Sequence, residues 1–210
     1  MNYKPSIVLD FDDTLVKSSE AIIKILNKKF GLNKTVADSK DWNFRSINRN
    51  LTEQDIDNLF ATKEFFEIVR WNDNAIDFLK KFQEEYDYII CSKGTKNNLI
   101  LKKDFLELEL KVKLGINYEF IGLEFSQNES SLAKGDINFS QCLFCIDDNT
   151  EAVKSINTPV KFLIKNFTDT SWNQTPKNLE GLYVVNTFKE IIEICDFDLE
   201  LKRKGERIGN

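Results

Sequence analysis

Apolar and polar positions follow two different rhythms along the chain. Short apolar, β-branched runs occur at 6–10 (SIVLD), 86–91 (YDYIIC), 118–123 (YEFIGL), 142–147 (CLFCID), 160–164 (VKFLI) and 182–185 (LYVV). Runs of this length bounded by polar residues predict strands buried on both faces. Between several of them the spacing is helical. In 74–86 (NAIDFLKKFQEEY), Ile76, Phe78, Leu79 and Phe82 recur at helical intervals, with Asn72 or Asp73 as the cap. In 187–195 (TFKEIIEIC), Thr187 and Glu190 have capping-box spacing. Strands alternating with helices predict an α/β fold with a parallel, doubly wound sheet, whose ligand sites lie at the carboxyl ends of its strands. Asp10, Ser92 and Asp147 fall at such ends.

Residues 17–72 break the alternation. Segment 18–32 (SSEAIIKILNKKFGL) reads as a helix and 38–50 as a loop. A further helix at 51–61 has Thr52 and Asp55 as a capping box, and another follows at 62–69 (TKEFFEIV). The pattern predicts a core of 1–16 and 73–197, a helical insert at 17–72, and a charged tail at 198–210 that frays.

Composition then removes possibilities. The net charge is -5, which gives no electrostatic case for binding duplex nucleic acid. The chain has 4 Cys and no His, so Ser-His-Asp, Cys-His and HExxH chemistries are absent. No Arg follows a cysteine at phosphatase-loop spacing. Cys142 and Cys145 form a CxxC inside an apolar run with no second pair, and are expected as core thiols in a reducing compartment. The first apolar stretch is too short for a signal peptide and is broken by Asp10, and no run approaches membrane-spanning length. A soluble cytoplasmic protein is expected.

Two acidic clusters follow two apolar strands: VLDFDDT with Asp10, Asp12 and Asp13, and FCIDDNT with Asp147 and Asp148. An isolated DxD is ordinarily a solvated turn. In a parallel sheet, however, two such strand ends can be neighbours, and converging carboxylates repel unless a cation lies between them. Oxygen ligands without imidazole or thiolate favour Mg²⁺. Ser92 follows the second strand, where its backbone with that of Lys93 and Gly94 offers N–H groups to an anion. Lys134 precedes the strand ending at Asp147. Together these groups suit electrostatic stabilisation of phosphoryl transfer.

In this order the residues resemble the haloacid dehalogenase (HAD) superfamily of phosphatases. DFDDT matches its DxDx(T/V) motif, Ser92 its second motif, Lys134 its third and IDD its acidic fourth. The resemblance implies Asp10 as nucleophile and Asp12 as general acid and base. It implies phosphate binding by Ser92, Lys93, Gly94 and Lys134. Mg²⁺ would be held by Asp10, the Asp12 carbonyl and one of Asp147 and Asp148. In detail KDWNF, KEFFEIV and NAIDFLKKF look like the 5'(3')-deoxyribonucleotidases and their bacterial and phage relatives. That likeness implies a helical cap whose aromatics Trp42, Phe44, Phe65 and Phe66 contact a nucleobase, and a nucleoside monophosphate as substrate. Another phosphate ester, such as a sugar phosphate or polynucleotide end, and a non-enzymatic binding role are the alternatives.

Overall fold

The computed structural model describes residues 4–125, 132–165, 170 and 172–197. Its six strands are β1 (Ser6–Leu9), β2 (Asp87–Gly94), β3 (Tyr118–Glu124), β4 (Phe144–Asp147), β5 (Val160–Ile164) and β6 (Leu182–Val185). They form one sheet in the order β3-β2-β1-β4-β5-β6, and every pairing is parallel. β1 is central because both faces are apolar. Ile7 and Leu9 are buried in the larger core cluster, and Val8 in a second with Cys91 and Cys145. After β1 the chain builds outward through β2 and β3, then returns to lay β4, β5 and β6 on the other side. The reversal opens a crevice beyond the carboxyl ends of β1 and β4.

The expected cysteine placement holds among the described residues: all four thiols are free and buried. The second strand runs further than expected. Ser92, Lys93 and Gly94 pair with Gly122, Leu123 and Glu124 of β3, so they extend the ladder instead of lying beyond it. Gly94 is required there by close approach. A Cβ would sit 2.2 Å from Asn98 Oδ1, and the Asn98 amide donates to the Phe60 carbonyl at 2.8 Å.

The 17–72 segment is helical as read: α1 (Ser18–Phe30), α2 (Glu53–Phe60) and α3 (Lys63–Ile68). α1 stops at Gly31, which takes the left-handed φ of 63°. α2 starts at the Thr52–Asp55 capping box. The segment leaves and rejoins the sheet through adjacent strips: Lys17 N–H donates to the Arg70 carbonyl at 2.8 Å, and Asn72 N–H to Leu15 at 2.8 Å. Asn72 is spent on this junction, and Asp73 pairs with Lys17 at 2.8 Å. The cap position of α4 (Ala75–Phe82) therefore falls to Asn74, whose side chain caps no backbone N–H and donates instead to Asp77 at 3.1 Å. α5 (Lys96–Leu106) covers β2 and β3, α6 (Thr150–Ser155) packs on β4 and β5, and α7 covers 188–197. The charged tail lies outside the described residues, and no described helix is long and apolar enough to cross a membrane.

Candidate active site

Asp10 is the first residue past β1, and its N–H donates to the Ile146 carbonyl of β4 at 2.9 Å. That bond ties the two acidic strand ends together. A second tie comes from Thr14, whose hydroxyl oxygen accepts the Asp148 N–H at 3.0 Å. Between them Asp13 adopts a φ of 51°, a conformation that Asp tolerates better than most residues. Its carboxylate accepts Ser19 N–H at 2.8 Å and Ser19 O–H at 2.5 Å, anchoring the start of α1. Asp13 is thus a structural acid. Burial pushes it up to about 7, against the two Ser19 hydrogen bonds.

These constraints bring Asp10, Asp147 and Asp148 together. All three are buried, and one oxygen from each lies within 4.8 Å of the others. The Lys134 ammonium reaches into the cluster, bonding Asp10 directly and Asp147 at 2.6 Å. Burial works against its charge, but Asp10 and then Asp147 outweigh that and hold the lysine above its ordinary value. One ammonium does not balance three carboxylates. Burial pushes Asp10 up to about 7 despite Lys134, with Asp147 and Asp12 adding to the rise. Asp148 is raised well above the carboxylate range by burial and then by Asp13, Asp10 and Asp147. Asp148 also accepts the Trp172 indole N–H at 3.0 Å.

Asp12 stands apart from this cluster. Its carboxylate accepts the Ser18 hydroxyl at 2.7 Å and is ion-paired with Lys102. Ser92 is fully buried, and its Oγ accepts from the Lys102 ammonium at 2.8 Å. Above them is a narrow cleft of about 30 Å³ lined by Asp12, Trp42, Asp57, Phe60, Lys93, Gly94 and Phe125, among others. A larger hollow of about 290 Å³ lies beyond Asp13, where Lys17 and Asp73 satisfy each other. Neither Asp10 nor Asp147 lines it.

Of the expected cap aromatics, only Trp42 meets the cleft. It is 47% exposed and stacks on Phe60 at 5.8 Å and 15°. Its edge meets Trp172 at 5.8 Å. Phe44 and Phe65 are fully buried in the main core, and Phe66 packs against the same cluster. The Phe44 and Phe65 rings are consumed by packing and offer no face to a ligand, while Phe66 is half-buried against Phe65 and Phe105 and does not line the cleft. The aromatic lining comes instead from Phe60 and Phe125, which sequence reasoning passed over. Lys102 and Trp172 were missed as well. The available signal for Lys102 was its spacing of four from Asn98 and Leu106, the buried stripe of α5.

No family model matches the chain, and no curated protein does. Solved structures do. A haloacid dehalogenase-like family hydrolase from Streptococcus pneumoniae is 16% identical, with a TM-score of 0.57 over 92% of this chain and 99% of its own. A candidate HAD-hydrolase from Bacillus subtilis, bound to magnesium, is 12% identical with a TM-score of 0.56 over 92% and 99%. A HAD phosphatase from Thermococcus onnurineus is 14% identical with a TM-score of 0.51 over 91% and 97%. The chain shares with them an α/β, Rossmann-like core of the HAD type. At these identities the likeness establishes architecture, and the chemistry rests on the side chains just described. In this chain those side chains divide into a charged floor at the strand ends and an aromatic roof carried by the helical segment.

Proposed function

We propose that the chain is a Mg²⁺-dependent phosphomonoester hydrolase working through a phosphorylated Asp10, with residues 17–72 acting as a cap and nucleoside monophosphates as the leading substrate class. The observation that carries this reading is the buried convergence of Asp10, Asp147 and Asp148 beside Lys134. Ionised together, three carboxylates against one ammonium would leave two negative charges where uncompensated charge is costly, and burial accordingly favours protons on Asp10 and Asp148. A divalent cation restores balance, and an all-oxygen donor set in a chain without His suits Mg²⁺. The magnesium-bound Bacillus subtilis neighbour is consistent with that choice. Asp10, Asp147, Asp148 and the Asp12 carbonyl would hold the ion, which when bound supplies positive charge to the phosphoryl oxygens.

The remaining roles belong to side chains. Asp12 first takes up the proton carried by the bound phosphate monoanion; the Asp10 carboxylate then attacks phosphorus as the ester P–O bond breaks, and Asp12 gives that proton to the departing oxygen. Water then attacks the phosphorus, Asp12 takes the water's proton, and the bond from Asp10 to phosphorus breaks. Phosphate leaves and both carboxyls are restored. Ser92 and Lys134 bind the phosphoryl oxygens throughout, flanked by Lys93 and Gly94.

Trp42 and Phe60 suit a flat leaving group, which supports the nucleotide reading. The cleft holds only about 30 Å³, so a nucleoside requires the cap to swing away. A sugar phosphate also exceeds that volume but needs less opening, and it is the second reading. A hydrolysis screen of mononucleotides and sugar phosphates, with Mg²⁺ and with EDTA, tests both. We expect metal-dependent phosphate release, fastest from a nucleoside monophosphate. Preference for a sugar phosphate would replace the substrate and keep the mechanism, whereas release undiminished by EDTA would remove the mechanism.

A further inference from the structure

Lys102 belongs to none of the motifs that define the floor, yet its side chain is only 1% exposed. It lies on the inward stripe of α5, between Asn98 and Leu106. A lysine buried on an apolar stripe is strongly destabilising unless its charge is matched and its donors are used. Here all three are used. The ammonium bonds the Asp12 carboxylate, the Ser92 Oγ at 2.8 Å and the Lys93 carbonyl at 3.0 Å. It also lies 5.4 Å from the centre of the Phe11 ring, which sits between the two motif aspartates in sequence. An ammonium has three donors and no acceptor, so the site is saturated.

Two consequences follow from donor counting. Asp12 is gripped on both oxygens, by Ser18 at 2.7 Å on one and by Lys102 on the other. Ser92 receives a hydrogen bond on its oxygen from Lys102, so its own hydrogen is not spent on that contact and can be offered elsewhere. We infer that Lys102 is a positioning residue that locks the Asp12 carboxylate and turns the Ser92 hydroxyl so that its hydrogen is presented to a phosphoryl oxygen. One buried cation thereby holds the β1 end and the β2 end in mutual register. The inference rests on the hydrolase reading, in which Asp12 is the acid and base and Ser92 binds phosphate.

The test is Lys102→Met in the full chain, which keeps length and apolar stem but removes the charge and donors. Steady-state kinetics are compared on p-nitrophenyl phosphate, whose leaving group needs little protonation, and on glycerol phosphate, whose alkoxide leaving group needs a proton. Loss of a well-placed general acid costs on the order of a hundredfold or more. We expect kcat/KM, which reports the step in which the leaving group departs and not the shared hydrolysis of the intermediate, to fall about a hundredfold on glycerol phosphate and less than about tenfold on p-nitrophenyl phosphate. Where Lys102→Met does not fold by circular dichroism, Lys102→Gln keeps two N–H donors without the charge and is judged by the same ratio. An active wild type whose variant loses nothing, or loses equally on both esters, overturns this inference alone. A wild type inactive on both esters with Mg²⁺ present overturns the hydrolase reading and this inference with it.

Discussion

The floor of the candidate site and its roof are built on opposite principles. In the floor every charged group has a partner within hydrogen-bond reach: Lys134 with Asp10 and Asp147, Lys102 with Asp12, Trp172 with Asp148. Each partner comes from a different element, so the positions are fixed several times over. In the roof, Trp42 and Phe60 stack at 5.8 Å and Trp42 remains 47% exposed. The difference is what the proposed hydrolase function leads one to expect. Chemistry needs preorganised charge, while leaving-group selection needs apolar surface that yields.

The sharpest way to break that comparison is to remove the nucleophile from the floor. Asp10→Asn should lower kcat by roughly 10⁴-fold or more, because an amide cannot replace the attacking carboxylate. Its melting temperature should stay near or above that of the wild type, because one buried like charge is gone from a crowded cluster. Retained activity in a purified, Mg²⁺-loaded variant would show that the floor is not the reacting centre.

Two roof variants sharpen the contrast. Phe44→Ala should cost about 3–5 kcal/mol of stability, measured by denaturant unfolding, since the ring is fully buried. It should change selectivity between esters little. Trp42→Ala should do the reverse, weakening an aromatic leaving group by roughly 1–3 kcal/mol in kcat/KM with little effect on a small aliphatic ester. Equal losses on both esters for Trp42→Ala would make it a packing residue too. The smallest effect concerns the thiols. Burial pushes Cys91 up to about 12 and Cys145 up to about 11, so both remain protonated thiols near pH 8. A thiol reagent should therefore titrate neither in the native protein and both after unfolding. Rapid native labelling of Cys145 would argue that the sheet's second core opens.

The sheet and the floor were largely legible in the sequence, and the roof was not. Apolar β-branched runs mark all six strands because strands buried on both faces have few other options. Acids at strand ends mark the floor because buried carboxylates without a task are selected against by their cost. The Ser92–Gly94 stretch was placed beyond the end of the strand, since a polar Ser-Lys-Gly sequence hides a ladder that continues to Glu124. Lys102 was hidden beside Lys103: the two are adjacent and chemically alike, and only packing decides that the first faces inward and the second outward. Phe44 and Phe65 misled for a related reason. The chain has 17 Phe, and a ring in a small helical segment serves its core as readily as a ligand, so residue type alone cannot choose between them.

The central claim is that Asp10 itself becomes phosphorylated. Turnover of a hydrolysed ester in the presence of Mg²⁺, quenched into borohydride, reduces an aspartyl-phosphate to homoserine, which peptide mass spectrometry locates by residue. The account predicts homoserine at position 10 in the wild type, at no other aspartate, and none in Asp10→Asn. Phosphate release at full rate with residue 10 unmodified, or modification at Asp12 or Asp147 instead, would contradict it.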